Sequence, residues 1–134
     1  MDIILFPVNW TNIHWALTAV DMGARTIHYY DSFPWSDNRR SRIQALLLDI
    51  ACFVFDDAKE RLGQDWTNDG VWGGMLMWGG ADGVPQQGNF FDCGMYAMHF
   101  TERLCSGQPG WGGLQPAEVP QLRARLALDI FGSS

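Results

Sequence analysis

The pattern of hydrophobic and polar positions predicts three strands near the N-terminus of this chain. An apolar run from Asp2 to Val8, closed by Pro7 and Asn9, predicts the first strand. From His14 to Val20 polar and apolar residues alternate loosely, and the segment stops at a turn signal. Thr26 to Tyr30 is rich in β-branched and aromatic residues. The last two segments together predict a hairpin with a tight loop.

The middle of the chain changes to helical spacing. From Asp37 to Leu62 apolar residues recur every three or four positions, with Ser36 or Asp37 available as an N-cap and Gly63 as a stop. This pattern predicts a long helix, which could be broken in two near Asp56.

Three further segments complete the pattern. Val71 to Trp78 lies in a stretch rich in glycine and tryptophan and is compatible with a strand that carries glycine bulges. Cys93 to Leu104 predicts a buried helix that begins at the cysteine, and Glu118 to Phe131 predicts a terminal helix. No repeat or domain boundary is visible. Residues 1–134 are therefore predicted to form one domain of the α+β class, with a small mixed sheet packed between helices.

Composition and charge narrow the class of function. The 134 residues are 47% hydrophobic and 18% charged, which is typical of a globular domain. The net charge of −6 argues against a nucleic-acid partner, because such a partner needs a basic stripe. No apolar run has the roughly 18 residues of a membrane span, and the first residues do not resemble a signal peptide. We therefore expect an intracellular protein, in the nucleus or the cytoplasm, without a nucleic-acid or membrane partner.

The three cysteines differ in their surroundings. They form no C-x-x-C, and the histidines are scattered, so we expect no metal site and no cofactor. Cys93 follows a turn-like stretch and opens a helix, whose unpaired N–H groups favour the thiolate that a nucleophile needs. Gly94, directly after it, leaves room for a substrate backbone. Cys52 lies in a predicted apolar stripe and Cys105 near a helix end, and both are interpreted as structural. A cysteine before a helix is weak evidence alone, because free cysteine is usually buried filler.

A histidine and an aspartate are expected beside each other in the predicted hairpin. His14 opens one strand and Asp31 follows the next, and the start of one antiparallel strand lies opposite the end of its neighbour. This arrangement orients an imidazole for a thiol–imidazole pair. His28 is a mid-strand residue without such a carboxylate, and His99 is expected to be a packing or surface residue.

Four linked motifs resemble those of one protease family. Residues 84–94 read VPQQGNFFDCG, and the segments Pro7-Val8-Asn9, His14-Trp15 and Tyr30-Asp31-Ser32 precede them. These resemble the PQQxNxxDCG, PxN, HW and YDS elements of the ubiquitin-like-protein-specific cysteine proteases, the deSUMOylase family that includes the sentrin-specific proteases. The order His, Asp, Gln, Cys is also that of the family, whereas in papain the cysteine comes first.

The resemblance implies a papain-like fold of the adenain and deSUMOylase type and a role for each matching residue. Cys93 would be the nucleophile, His14 the general base and then acid, and Asp31 the residue that holds the imidazole. Gln87 would donate its side-chain amide to the oxyanion. Trp15 would help to wall a narrow channel that admits a Gly-Gly C-terminus.

The activity implied by the resemblance is that of a thiol protease or isopeptidase. It would cleave after Gly-Gly of SUMO or a related ubiquitin-like modifier, and its partners would be that modifier and its conjugates. One alternative keeps the triad but changes the reaction, to a deubiquitinase, a deneddylase, a virus-type protease or an acyltransferase. Another is a non-catalytic, truncated interaction module, against which the four intact site residues argue. The sequence selects no oligomeric state.

The family's catalytic domain also has helices and a strand before the PxN element, and these carry much of its modifier-binding surface. We therefore expect the N-terminal part of the family domain to be missing from this chain. Trp72 and Trp78 could replace part of it as a lid over the substrate.

Overall fold

The computed structural model describes residues 3–33, 37–66, 76–79, 85–89, 92–107 and 114–132. Its strands are β1 (Ile3–Trp10), β2 (His14–Asp21), β3 (Thr26–Tyr30) and β4 (Leu76–Gly79). Its helices are α1 (Asp37–Leu62), α2 (Cys93–Ser106) and α3 (Val119–Phe131), the last preceded by a short 3₁₀ turn over Pro116–Glu118.

The four strands form one mixed sheet in the order β1-β2-β3-β4. The first three strands are antiparallel, and β4 runs parallel to β3. The predicted β2–β3 hairpin is confirmed, with Leu17 opposite Tyr30 and Asp21 opposite Thr26. β4 overlaps the end of the segment 71–78, which is compatible with a strand in the sequence, and runs one residue past it to Gly79. Residues 71–75, including Trp72, lie outside the described residues, and only the backbone of Trp78 is described, so the proposed tryptophan lid stays a prediction.

The first strand is longer than its sequence suggests. β1 continues through Pro7 and Asn9 to Trp10, so the prediction that these two residues close the strand is wrong. The physical reason is position, because β1 is at the edge of the sheet among the strands that the structure describes, and an edge accepts a residue that lacks an N–H. The strand ends in a turn in which Thr11 and Asn12 are left-handed, with φ of 53° and 61°.

Two hydrophobic cores lie on opposite faces of the sheet, because alternate strand residues point to opposite sides. One core joins the sheet to α1 and includes Val20, Ile27, Tyr29, Ile43 and Leu47. The other joins the sheet to α2 and α3 and includes Leu17, Tyr30, Tyr96, Phe100 and Val119. The predicted α+β architecture, a small mixed sheet between helices, is confirmed.

The long helix is continuous. α1 runs from Asp37 to Leu62 without the break that was considered near Asp56, because Val54 and Ala58 stay buried on the same face across that point. The terminal helix begins one residue later than predicted. Within the described ranges, no helix has both the length and the apolar character required to cross a bilayer.

Candidate active site

The thiol of Cys93 lies at the first position of α2, with only 4% of the residue exposed. Asp92, the N-cap, makes no side-chain capping hydrogen bond, so the first-turn N–H groups keep their partial positive charge beside the sulfur. Cys105 lies near the end of α2, as expected, and is exposed. Cys52 is exposed too, so its predicted place in the apolar stripe of α1 is wrong: it lies one position past the buried Ala51, on the solvent side.

The imidazole of His14 contacts the carboxylate of Asp31, as the hairpin predicts. Nε2 of His14 lies 2.7 Å from Oδ1 of Asp31, and both residues are buried. The ring of Phe33 packs edge-on against the imidazole, with centroids 5.7 Å apart. Because Nε2 is engaged by the carboxylate, Nδ1 is the ring nitrogen left to exchange a proton with a reacting group.

The backbone of the residue after His14 contacts the thiol of Cys93. The N–H of Trp15, which follows His14, donates to Sγ of Cys93 at 3.4 Å. Among the described residues, no hydrogen bond joins the thiol directly to the imidazole. Such pairs are often loose in unliganded enzymes and tighten when substrate binds.

The carboxylate of Asp31 is held by more than the histidine. Its Oδ1 also accepts the backbone N–H of Phe33 at 2.9 Å, and its Oδ2 accepts the hydroxyl of Tyr29 at 2.7 Å. Burial, followed by the charge of Asp31, raises the pKa of Tyr29 well above its usual value, so the phenol stays protonated and donates. Sequence reasoning missed Tyr29, whose only signal was that of a strand residue.

Gln87 lies in the loop before α2, and hydrogen bonds hold both its backbone and its side-chain amide. Its backbone N–H donates to the carbonyl of Ser32 at 2.8 Å, and the hydroxyl of Ser32 donates to its Oε1 at 2.5 Å. Its Nε2 donates to the carbonyl of Asn89 at 2.6 Å. An amide nitrogen carries two N–H groups, so one remains for another acceptor.

A buried carboxylate next to the cysteine ties this loop to two helices. Oδ2 of Asp92 accepts the side-chain amide of Asn89, and its Oδ1 accepts Nη2 of Arg123 from α3, both at 2.6 Å. Asn89 and Asp92 belong to the motif quoted above, but sequence reasoning gave neither a role. Arg123 carried no local signal at all.

Trp15 and Gly94 lie together beside the thiol. Trp15 is 42% exposed, and a Cβ added to Gly94 would meet its Cδ1 at 3.9 Å, an ordinary contact. The fold therefore leaves room for a side chain at Gly94, and the lack of one keeps open space beside the cysteine. A cavity of about 320 Å³ opens here along α2. In the described ranges, no group of three or more His, Cys, Asp or Glu side chains could hold a metal ion.

Two curated proteins show what this chain is similar to. Ubiquitin-like-specific protease 1 of Saccharomyces cerevisiae is 32% identical over 101 residues, which are 75% of this chain and 14% of that protein. Sentrin-specific protease 3 of Homo sapiens is 26% identical over 129 residues, which are 96% of this chain and 20% of that protein. The chain thus spans a fifth or less of these relatives.

Solved structures confirm the fold that the motifs implied. A structure of the SUMO protease Ulp1 with its catalytic cysteine oxidized to a sulfenic acid matches at 27% identity and a TM-score of 0.76, over 99% of this chain and 54% of that one. The C-terminal Ulp1 protease domain in complex with Smt3, the yeast ortholog of SUMO, matches at 28% identity and a TM-score of 0.67, over 92% and 49%. The chain spans about half of each solved chain.

The family model described as the Ulp1 protease family, C-terminal catalytic domain, matches residues 1–133. That match covers nearly the whole chain, and it includes the buried His14–Asp31 pair and the thiol at the start of α2. The chain therefore belongs to the Ulp1 protease family.

Proposed function

We propose that this chain carries the catalytic centre of a cysteine protease that cleaves after the C-terminal Gly-Gly of SUMO or a related ubiquitin-like modifier. The observation that carries the proposal is the buried contact of 2.7 Å between His14 and Asp31. The next residue after His14, Trp15, donates its backbone N–H to the thiol of Cys93. An oriented base next to a thiol at a helix start is the arrangement that nucleophilic catalysis by cysteine requires.

The reaction follows from these positions. Sγ of Cys93 attacks the carbonyl carbon of the final glycine while His14 takes the thiol proton. The resulting oxyanion faces the first-turn N–H groups of α2 and the remaining amide N–H of Gln87. The C–N bond then breaks as His14 returns the proton to the leaving amine, which leaves an acyl thioester on Cys93. His14 next deprotonates a water molecule, whose oxygen displaces the thiol and releases the modifier.

Asp31 has an electrostatic and an orienting role in this scheme. Its carboxylate fixes Nε2 of His14, so that Nδ1 is the nitrogen that gains and loses the proton. The positive charge of the imidazolium forms next to a buried carboxylate, which stabilises it.

The choice of substrate rests on the relatives and on the space beside the thiol. The solved complex of the Ulp1 domain with Smt3 supports a ubiquitin-like modifier as partner. Gly94 and Trp15 line a cavity of about 320 Å³ at the start of α2, and a narrow channel between backbone and an aromatic ring would admit glycine and reject larger residues. The intracellular location stays a prediction.

Activity-based probes provide the test. Full-length SUMO, ubiquitin and NEDD8, each with a C-terminal propargyl amide, are incubated with the 134-residue chain, and the adducts are located by mass spectrometry. We expect the SUMO probe to form one adduct on Cys93, and Cys93→Ala to form none. Cys52→Ser and Cys105→Ser are matched controls, because these thiols are exposed and lie outside the site.

The other outcomes each select an alternative. A reaction with only the ubiquitin or the NEDD8 probe would assign the substrate to that modifier. An adduct on Cys52 or Cys105 would disprove the assignment of the nucleophile. No adduct with any probe, together with no hydrolysis of a short Gly-Gly peptide ester, would indicate a non-catalytic interaction module.

A further inference from the structure

A buried tyrosine connects the first strand of the sheet to the carboxylate of the site. Tyr29 is fully buried against α1, and its hydroxyl donates to Oδ2 of Asp31 at 2.7 Å. The indole Nε1 of Trp10 lies 2.9 Å from the same hydroxyl oxygen. The contacts form a continuous series from Trp10 through Tyr29 and Asp31 to His14.

The direction of the hydrogen bonds in this series is fixed by chemistry. An indole N–H can only donate, so Trp10 uses the hydroxyl of Tyr29 as its acceptor. That hydroxyl therefore donates its single proton to another atom, and it donates to Oδ2 of Asp31, 2.7 Å away. Trp10 therefore orients the proton of Tyr29 towards the carboxylate.

The fold brings the four side chains to one place from three strands. Trp10 ends β1 and pairs directly with His14, which begins β2. Tyr29 precedes Asp31 by two residues, a spacing that places both on the same face of the sheet. The left-handed turn at Thr11 and Asn12 sets the pairing of Trp10 with His14.

The carboxylate depends on this series because it is almost inaccessible to water. Asp31 is 1% exposed, and its two donors on Oδ1, His14 and the N–H of Phe33, leave Oδ2 to Tyr29. Without the hydroxyl, this buried oxygen loses its donor, which favours rotation of the carboxylate. Rotation would release the imidazole from its position.

We propose that Trp10 and Tyr29 are positioning residues for this site, which act on the reaction by fixing Asp31 and, through it, His14. The proposal rests on the proposed function for its effect on catalysis, but its effect on the His14–Asp31 contact is independent of any activity. Neither residue touches the thiol or the substrate in this scheme.

The test compares Tyr29→Phe and Trp10→Phe, which remove one hydroxyl and one indole N–H and keep an aromatic ring. Tyr30→Phe is the matched control, because it removes a hydroxyl from the next residue, which packs in the core on the opposite face. Two quantities are measured on the whole chain. The first is the proton NMR resonance of Nε2–H of His14 and its rate of exchange with water. The second is kcat and KM for a modifier with a fluorogenic C-terminal amide.

We expect Tyr29→Phe to move the His14 resonance upfield and to speed its exchange at least tenfold. It should lower kcat by about 10- to 100-fold with KM within twofold, since geometry and not binding is changed. Trp10→Phe should have smaller effects in the same direction, and Tyr30→Phe should change neither quantity.

An unchanged His14 resonance in folded Tyr29→Phe and Trp10→Phe would overturn the proposal, whether or not the wild-type chain cleaves the substrate. A fall in kcat that only matches the loss of folded protein, measured by circular dichroism, would overturn it as well. If Tyr29→Phe does not fold, Trp10→Phe alone decides. A shifted resonance in a chain without proteolytic activity would support the positioning role and reject the proposed function.

Discussion

The two oxygens of Asp31 illustrate how the site depends on individual donors. One oxygen accepts from His14 and from the backbone of Phe33, and the other accepts from Tyr29. Burying a charged carboxylate is unfavourable unless hydrogen bonds replace its water, so each of these donors constrains the plane of the carboxylate. The imidazole that contacts it is constrained in turn.

Gln87 provides a test of the oxyanion site that separates an effect on kcat from an effect on KM. Gln87→Glu keeps the oxygen that accepts from Ser32 but replaces the amide N–H groups by a negative charge. Because a donor aimed at developing charge acts in the transition state, kcat should fall by about 10²-fold or more with little change in KM. Steady-state kinetics with a fluorogenic modifier substrate checks this.

The matched control for Gln87 is Gln64→Glu, which makes the same chemical change at a distant glutamine whose oxygen accepts from Trp66. Its kcat should stay within twofold of wild type. An increase in KM without a fall in kcat for Gln87→Glu would assign this residue to substrate binding instead.

Sequence reasoning could place His14 beside Asp31, because that contact follows from strand pairing, which the hydrophobic pattern already determines. It could not place Trp10 or Tyr29 in the site, because their contact depends on the turn at Thr11 and on side-chain directions that no periodicity encodes. It was wrong about Cys52 for a similar reason. A helical stripe is read with an uncertainty of one residue, and one residue turns a side chain by about 100° around a helix.

At the scale of elements, packing determines where a strand or a helix ends, and the hydrophobic pattern alone does not. The strand β1 runs past Pro7 because it lies at the edge of the sheet, a fact that emerges only when all four strands are assembled. The helix α1 runs past Asp56 because its buried face continues to Ala58. The local sequence predicted an end of β1 at Pro7 and left a break of α1 near Asp56 open, and in both places packing against the rest of the chain keeps the element continuous.

The β1–β2 turn should be a source of removable strain. Thr11 has a φ of 53°, a region in which a β-branched residue is disfavoured by about 1–2 kcal/mol and asparagine is better tolerated. Thr11→Asn gives up an exposed hydrogen bond to the carbonyl of Trp10. We expect a net increase of about 0.5–1 kcal/mol in the free energy of unfolding. Urea denaturation followed by tryptophan fluorescence measures it.

Thr11→Ala serves as the control for this turn, since it removes the same hydroxyl but keeps a residue that disfavours left-handed backbone. It should give no increase in stability. A gain with alanine as large as that with asparagine would mean that the threonine side chain, and not the backbone conformation, is the source of the strain.

At the scale of the whole molecule, the site forms only where both cores are in place. His14 and Asp31 come from the side of the sheet that faces α1, whereas Cys93 begins α2, whose Tyr96 and Phe100 pack in the core on the opposite side. Gln87 lies in the loop between the two. Helix α3, far along the chain, reaches the same point through the contact of Arg123 with Asp92.

Two arginines of α3 make it possible to measure what this link contributes. Arg123 pairs with Asp92, whose side chain is 9% exposed, and Arg125 pairs with Glu102, whose side chain is 50% exposed, each at 2.6 Å. The arginine side chains are similarly exposed, at 57% and 53%. The two pairs therefore differ mainly in the burial of the carboxylate.

Arg123→Gln should lower the free energy of unfolding by about 1–2 kcal/mol, because the buried carboxylate of Asp92 loses a charged donor that water cannot fully replace. Arg125→Gln should lower the free energy of unfolding by about 0.5 kcal/mol or less, since both partners of an exposed pair remain hydrated after it breaks.

The same link should also affect the reaction, because Asp92 accepts from the side chain of Asn89, and the carbonyl of Asn89 accepts from Gln87. Arg123→Gln should therefore lower kcat several-fold at a temperature where the protein is fully folded, and Arg125→Gln should leave kcat unchanged. Urea denaturation and steady-state kinetics on the same preparations provide both numbers. Equal losses of stability from the two variants would show that burial of Asp92 does not matter, and an unchanged kcat in Arg123→Gln would show that α3 stabilises the fold without holding the loop before Cys93.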